Sequence, residues 1–204
     1  MHENEFYDDL AGALERSWRL LEEAIDDPTS PVRTPVLISV ATDGLAQGRT
    51  VVLRGINRQQ RQLQIYTDVR SAKVAQLRAQ PACTLVAYQP NPMMQLRLGS
   101  DAIVNHNNAI THEAWAVMPG PNRCNYLTHP DPGSISVRAT DGRPVINAES
   151  VPTNDENKIA YRHFAVIGFT INQLEWLYLP QRGHRRARFT WDGANSLKSD
   201  WLIP

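Results

Sequence analysis

The chain has 204 residues, of which 42% are hydrophobic and 21% charged, a composition typical of a globular protein with a buried core. Its 21 basic and 21 acidic side chains give a net charge of zero, which argues against nucleic acid as the main partner because phosphate-backbone binding needs a net basic surface. No apolar run approaches the ~20 residues of a membrane span, the acidic start MHENEFYDDL is unlike a signal peptide, and the two cysteines form no CxxC pattern. We therefore expect a cytoplasmic protein with reduced thiols.

Apolar residues in the first 25 positions recur at spacings of three and four, which predicts an amphipathic helix over about residues 4–25. The stripe consists of Phe6, Leu10, Leu14, Trp18, Leu21 and Ile25. Asp26-Asp27-Pro28 ends this helix. Its apolar stripe must cover something, most simply the open face or end of a β-sheet.

From Val36 the pattern changes to short strands joined by turns. We expect strands at 36–40, 48–55, 62–67, 83–88 and 94–104, the last bending at Gly99. A short helix with Ser71 as its N-cap runs to Gln80 and interrupts them. The hairpin-length connections indicate a closed antiparallel barrel rather than a parallel α/β sheet.

The second half of the chain starts with a helix from Asn107 or Asn108 to about Val117. Residues 119–157 are rich in Pro, Asn, Asp, Gly and Thr and have little periodicity, which predicts a long functional loop or lid. Further strands are expected at 164–170, 173–179, 189–191 and 198–203. Since no repeat or linker divides the chain, we treat residues 1–204 as one domain.

The common signatures of catalysis are missing from the sequence. It contains no GxGxxG or GxxxxGK[ST] phosphate loop, no GxSxG elbow and no HExxH pair. The six histidines show no metal-ligand spacing with cysteine or with one another, so no metal site is expected. Zinc chemistry and serine-type hydrolysis are therefore disfavoured.

The stretch from Arg49 to Lys73 carries basic and hydroxyl side chains where predicted strands and a helix begin and end. Lys73 lies in the first turn of the predicted helix with Arg70 just before it, and cations there oppose the helix dipole by about 0.3–1 kcal/mol. Hydroxyl donors are added by Tyr66, Thr67 and Ser71. Two cations at an unfavourable helix end indicate a phosphate-binding site.

Two other groups of arginines leave alternatives open. Arg49 and Arg54, expected on one strand, would point to opposite faces about 17 Å apart at ~3.3 Å per residue. They are either two solvated strand charges or contacts at the two ends of a long ligand. The run Arg182–Arg188 is a solvated loop, a nucleic-acid patch or the far wall of the same site, and the neutral net charge disfavours the patch.

Taken in order, several short patterns from about Pro35 to Pro204 resemble the pyridoxamine 5′-phosphate oxidase family of split-barrel flavoproteins. They are RTVVLR at 49–54, Tyr-Thr at 66–67, Ser-Ala-Lys at 71–73, Gln-Leu-Arg at 95–97, HRRARF at 184–189 and Leu-Ile-Pro at 202–204. Each pattern alone is weakly specific, but their shared order and spacing are fairly specific.

The resemblance implies a mainly β fold with peripheral helices (α+β), a split antiparallel β-barrel that binds FMN in clefts between the subunits of a homodimer. It also implies hydride transfer between the flavin and a small molecule, with no nucleic-acid or membrane partner. The cofactor-binding residues that it implies are Arg49, Val51, Val52, Leu53, Arg54, Tyr66, Thr67, Ser71, Lys73, Gln95 and Arg188. Gln95 is expected to come from the partner subunit or from a neighbouring strand.

The substrate half of the family pattern matches less well. Ala72 stands where the family has a second basic residue before the lysine. The family's substrate-gripping Arg-x-His pair falls on His184 and Arg186, in reversed order, and the segment Trp115–Arg123 lacks a clean substrate-phosphate pattern. We therefore expect a substrate other than pyridoxine phosphate, contacted by His184 and Arg186. The alternatives are a non-catalytic flavin- or ligand-binding protein and, less favoured, a nucleic-acid-binding module that uses Arg182–Arg188.

Overall fold

The computed structural model describes residues 6–144, 151–181, 183–193 and 196–204. Its strands are Val36–Val40 (β1), Ala46–Thr50 (β2), Leu53–Asn57 (β3), Gln62–Asp68 (β4), Ala82–Gln89 (β5), Met94–Asn105 (β6), Phe164–Tyr178 (β7), Arg185–Asp192 (β8) and Ser196–Leu202 (β9). Its α-helices are Leu10–Asp26 (α1), Ala72–Ala79 (α2), Ala109–Val117 (α3), Gly120–Arg123 (α4) and Asn154–His163 (α5).

The strands form one antiparallel sheet in the order β2-β1-β5-β6-β7-β4-β3, with β8 and β9 added beside β7. Strand β7 explains this layout: it pairs with β6 on one side, while on the other side its first half pairs with β4 and its second half with β8. The pairing of β6 with β7 shifts at Gly99, where Asn172 is the extra residue of a β-bulge. The predicted mainly β class and the irregularity at Gly99 are confirmed.

The two ends of this sheet order, β2 and β3, are not paired with each other. The expectation of a closed barrel is therefore corrected to an open one, which agrees with the predicted split barrel. The barrel stays open because the chain turns away from β2 after Thr50, where the Val51 N–H donates to the Pro35 carbonyl at 3.0 Å. The chain then joins the opposite end of the sheet as β3, which begins at Leu53.

The stretch 48–55, expected as one strand, is for the same reason two strands. Arg49 lies on β2 and Arg54 on β3, so their estimated separation along a single strand does not apply. Val51, between the two strands, is buried. A continuous apolar run can end one strand and begin the next when its backbone turns into the core.

Helix α1 covers the sheet, as its apolar stripe predicted. Ala13, Leu21 and Ala24 are fully buried in the same core as the inward side chains of the strands. Trp18 contacts Trp191 of β8 edge to face, with ring centroids 6.3 Å apart. The helix begins at residue 10 rather than 4, because the Asp9 carboxylate accepts hydrogen bonds from the first free N–H groups of α1.

The segment 119–157, expected to be irregular, contains regular structure at both ends. Helix α4 and a 3-10 turn at Cys124–Tyr126 follow α3, whose predicted cap Asn108 is confirmed. Helix α5 begins at Asn154, where Thr153 and Glu156 form a capping box. The part of the predicted loop at 145–150 lies outside the described residues.

The strands of the C-terminal third are longer than predicted. The expected strands 164–170 and 173–179 are the single strand β7, since the bulge at Asn172 interrupts the pairing without ending the strand. Strand β8 begins at Arg185 rather than at 189. Among the described helices, none is long and apolar enough to cross a membrane. Cys83 and Cys124 are both buried and are not joined in a disulfide.

Candidate functional site

Helix α2 brings Lys73 to the end of strand β4. The Lys73 Nζ donates to Thr67 Oγ1 at 3.0 Å and to Ser71 Oγ at 3.1 Å, and the two hydroxyls lie 3.3 Å apart. Ser71 occupies the N-cap position as predicted, but its hydroxyl donates to the Asp68 carbonyl at 2.7 Å and makes no capping bond. The first N–H groups of α2 therefore remain free of a side-chain cap.

One turn further along α2, Gln76 contacts strands β1 and β2. Its Oε1 accepts from Arg49 Nη2 at 3.0 Å and from Ser39 Oγ at 2.7 Å. Arg49 Nη1 also donates to Ser39 Oγ at 2.6 Å and to the Leu37 carbonyl at 3.2 Å. Positions three apart on a helix share a face, so α2 places Lys73 and Gln76 side by side. We call Arg49, Thr67, Ser71 and Lys73 the phosphate cradle.

The two cations of the cradle have no carboxylate partner in the part of the chain that the structure describes. Burial and repulsion from Arg49 lower the pKa of Lys73, with a partial offset from Asp68. Burial likewise lowers the pKa of Arg49. Holding two partly buried cations together costs free energy unless an anion compensates for it. The residues present thus fit a phosphate group.

Arg70 does not belong to this pair of cations. It donates to both carboxylate oxygens of Asp68, at 2.9 and 2.6 Å, and to Asp131 at 2.9 Å. It also donates to the carbonyl and the hydroxyl of Thr128, both at 3.1 Å. The inference that Arg70 and Lys73 together await an anion is therefore corrected for Arg70, whose charge is paired with Asp68 and Asp131. Arg70 instead anchors the segment after Tyr126 to the end of β4.

Tyr66 and Thr67 point to opposite faces of β4, because successive side chains alternate along a strand. Tyr66 packs edge to face on Phe164, with ring centroids 5.2 Å apart. Burial raises the pKa of Tyr66, and the nearby Arg54 partly offsets this. Arg54 is the extra residue of a bulge between β3 and β4 and is exposed. Arg54 and Tyr66 thus lie outside the cradle, on the other face of the same two strands.

The three residues between the cradle and Arg54 follow the turn from β2 to β3. Val51 and Leu53 are buried and Val52 is half-buried. The side chains of Val51 and Leu53 therefore face the core, so a ligand can reach these two residues mainly through their backbone. That arrangement is compatible with the cofactor contacts of Val51, Val52 and Leu53 that the resemblance implies.

Gln95 and Arg188 lie at the opposite end of β7 from Thr67. Along β7, Thr67 pairs opposite Ala165 and Gln95 opposite Leu177, which are about 40 Å apart along the strand at ~3.3 Å per residue. Arg188 pairs opposite Glu175, at the same end of β7 as Gln95. Neither residue contacts Lys73, Thr67 or Ser71 among the described residues.

The described arginines of the basic run are each paired with a carboxylate. Arg185 donates to Asp8 at 2.6 Å, Arg186 to Glu175 at 2.7 Å, and Arg188 to Asp200 at 3.4 Å. Arg182 lies outside the described residues. Paired arginines make a poor electrostatic surface for a nucleic-acid backbone.

Of the two expected substrate contacts, His184 lines an open pocket and Arg186 is held in an ion network. Glu175, whose side chain is only 10% exposed, accepts from Arg186 and also from Arg97 at 3.3 Å. His184 is exposed, and the pocket has a volume of about 690 Å³. The other lining residues are Met93, Leu179, Pro180, Gln181, Gly183 and Pro204.

Ser39 and Gln76 are the two site residues that the sequence did not reveal. Ser39 is 1% exposed and is the only hydroxyl residue in the apolar strand VLISV. Gln76 stands three positions after Lys73 on α2. A hydroxyl residue in an apolar strand and a polar residue on the same helix face as Lys73 are the sequence signals that could have identified Ser39 and Gln76.

Residues 15–106, which include the whole cradle, match the family model described as the FMN-binding domain of pyridoxamine 5′-phosphate oxidase. No curated protein sequence matches the chain. A pyridoxamine 5′-phosphate oxidase-related, FMN-binding protein from Nostoc punctiforme is a similar solved structure, with a TM-score of 0.72 and 20% identity over 93% of this chain and 96% of that one.

Another similar structure is PhzG from Burkholderia lata in complex with tetrahydrophenazine-1-carboxylic acid, with a TM-score of 0.71 and 16% identity over 98% of this chain and 96% of that one. Identities this low establish the fold alone. The match to the family model adds to the fold, because the matched residues include all four residues of the cradle. Residues 15–106 thus match the FMN-binding domain of pyridoxamine 5′-phosphate oxidase, and the chain as a whole has the fold of the split-barrel proteins related to that enzyme.

Proposed function

We propose that this chain binds FMN in the phosphate cradle and acts, as a homodimer, as an FMN-dependent oxidoreductase on a small molecule. The observation that supports it most is the pair Arg49 and Lys73, two partly buried cations held close together by neutral groups within the segment that matches the FMN-binding domain. Such a pair is matched in charge by a phosphate dianion.

In this proposal the cradle holds the cofactor by its phosphate. Lys73 and Arg49 donate charge-assisted hydrogen bonds to it, and the hydroxyls of Thr67 and Ser71 accept from the Lys73 ammonium and hold it in place. The backbone of 51–53 faces the flavin ring, and the exposed Arg54 lies at its edge. An arginine beside the ring would favour negative charge on the reduced cofactor.

The second subunit is proposed because the resemblance implies it and because the sheet has an exposed apolar outer face. Gln95 pairs opposite Tyr88 and Arg188 pairs opposite Glu175 on this face. Val36 and Tyr88, on the same face, are 39% and 44% exposed. A second copy docked on this face would bring Gln95 of the partner subunit and Arg188 of the partner subunit towards the cradle.

Bound FMN supplies the hydride acceptor and donor, so the protein needs to position the substrate rather than to provide an acid or base. His184, in its open pocket near Pro204, remains our candidate for substrate contact, together with Arg186. The segment anchored by Arg70 through Thr128 would bound the site on the other side. Since the PhzG structure contains a carboxylate on a reduced ring system, small cyclic acids are the first substrates to test.

A non-catalytic flavin-binding protein is the second candidate, and one observation favours it. Arg186 is neutralised by Glu175, so the proposed substrate half lacks the unpaired cation that the cradle has. A carrier needs the cradle and the dimer but not a substrate contact at Arg186.

Purification and a visible absorption spectrum test the main proposal. We expect a yellow protein, or one that takes up added FMN with one flavin per chain, and a dimeric mass by light scattering. A colourless protein that takes up no FMN would overturn the proposal. Anaerobic reduction of the bound flavin by nicotinamide donors or small cyclic acids then separates the enzyme from the carrier.

A further inference from the structure

Among the described residues, the guanidinium of Arg49 is oriented by neutral oxygen atoms only. Its three acceptors are Ser39 Oγ at 2.6 Å, Gln76 Oε1 at 3.0 Å and the Leu37 carbonyl at 3.2 Å. Ser39 Oγ also donates to Gln76 Oε1 at 2.7 Å, so the serine and the glutamine hold each other as well as the arginine. A carboxylate in either place would orient Arg49 equally well, but it would cancel its charge.

The groups that orient Arg49 stand on rigid elements. Ser39 is on β1 and is 1% exposed, while Arg49 is on the paired strand β2, directly opposite Leu37. Gln76 is on α2, one turn after Lys73. A side chain on one strand that is held by a second strand and a helix is positioned before its ligand arrives, which reduces the cost of binding.

The chemistry of the contact also fixes the orientation of the Gln76 amide. Arginine only donates hydrogen bonds, so the amide oxygen of Gln76 must face Arg49. The amide nitrogen therefore points away from Arg49, and it makes no hydrogen bond to the described residues. It remains able to donate to an anion bound between Arg49 and Lys73.

We propose that Ser39 and Gln76 form a neutral clamp, which holds Arg49 in place with its full charge available to the phosphate of FMN. The clamp makes the cradle selective for a flavin that carries a phosphate dianion over an uncharged flavin. This inference rests on the proposed function and adds two residues to its site.

The test compares FMN with riboflavin, which lacks the phosphate, in the full-length protein. Dissociation constants are measured from the quenching of flavin fluorescence for wild type, Gln76→Glu, Gln76→Met and Ser39→Ala. Gln76→Glu keeps the acceptor for Arg49 but cancels its charge, so FMN should bind at least about tenfold more weakly while riboflavin is unaffected. Ser39→Ala removes the hydrogen bond from Arg49 and the one to Gln76, and FMN binding should weaken by about two- to tenfold.

Gln59→Glu is the matched control, because it makes the same charge change at an exposed position in the turn between β3 and β4. It should leave both affinities at the wild-type value. Thermal unfolding of each variant shows whether it is folded. If Gln76→Glu does not fold, Gln76→Met and Ser39→Ala decide the question, since each should still weaken FMN selectively.

The outcomes separate the inference from the function on which it rests. A folded Gln76→Glu variant that binds FMN as tightly as wild type overturns the clamp and leaves the proposed function standing. Equal wild-type affinity for FMN and riboflavin overturns the clamp too, because the phosphate would then add nothing. A wild-type protein that binds neither flavin overturns the proposed function itself.

Discussion

Replacing Lys73 with methionine should weaken FMN binding without weakening the folded apoprotein. The substitution keeps most of the side-chain volume and removes the ammonium that contacts Thr67 and Ser71. A hydrogen bond to a charged group is worth about 1.5–3 kcal/mol, so FMN affinity should fall by about 10- to 150-fold. Arg49 remains, which is why we do not expect binding to be abolished.

The apoprotein should behave in the opposite way, because Lys73 is unfavourable there. Burial and repulsion from Arg49 lower the pKa of Lys73, which means that the charged form of Lys73 destabilises the folded chain when no anion is bound. The two hydroxyls left behind still bond to each other and to the Asp68 carbonyl. The thermal unfolding midpoint of the apoprotein should therefore stay the same or rise.

The assay is a fluorescence titration with FMN together with thermal unfolding of the apoprotein. Lys198→Met is the control, since it removes one lysine charge from an exposed side chain of β9. Wild-type FMN affinity in Lys73→Met would refute the assignment of the cradle. A large loss of apoprotein stability would show instead that Lys73 serves the fold and not a ligand.

Three further predictions concern other parts of the molecule. FMN affinity should fall as pH rises towards 10.5, the ordinary pKa of lysine, because the lowered pKa of Lys73 lets the apoprotein lose this proton early, and Lys73→Arg should remove that fall. Tyr88→Glu, on the exposed outer face, should change unfolding by less than about 0.5 kcal/mol but give a monomer by light scattering, and retention of the dimer would contradict the proposed interface. Arg70→Met leaves the buried Asp68 carboxylate unpaired and should cost about 3–5 kcal/mol in urea unfolding, whereas Arg143→Met, which breaks an exposed pair, should cost less than about 1 kcal/mol.

The grouping of Lys73 with Thr67 and Ser71 could be predicted because its signal is local. A lysine in the first turn of a helix, after a strand that ends in Tyr-Thr, is visible within eight residues of sequence. The structure places Lys73, Thr67 and Ser71 together, as that stretch indicated. Arg70 shows the limit of the same argument: Asp68 is only two residues before it, but the sequence does not show that the two side chains pair, nor that Asp131 joins them.

The contacts of Arg49 could not be predicted because they depend on three elements that meet only in the folded chain. The hydroxyl of Ser39 in an apolar strand and the spacing of Gln76 after Lys73 mark the two residues, but neither signal says that they meet Arg49. The division of 48–55 into β2 and β3 was hidden for a related reason: an apolar run reads as one strand whether or not its backbone turns. Helix α5 was missed although the capping box at Thr153 and Glu156 is visible in the sequence, because the surrounding composition favoured a loop.

The double pairing of β7 gives this strand a role that reaches beyond the fold. Its first half is paired with β4, which ends in the cradle, and its second half carries Glu175 on the face proposed for a second copy. In the proposed dimer, β7 would set the distance between a ligand in the cradle and the partner subunit. The bulge at Asn172 keeps the two halves of β7 in register, because a shift by one residue would exchange the inward and outward faces of every position beyond it. The spacing of the proposed site would then depend on one continuous strand more than on the loops around it.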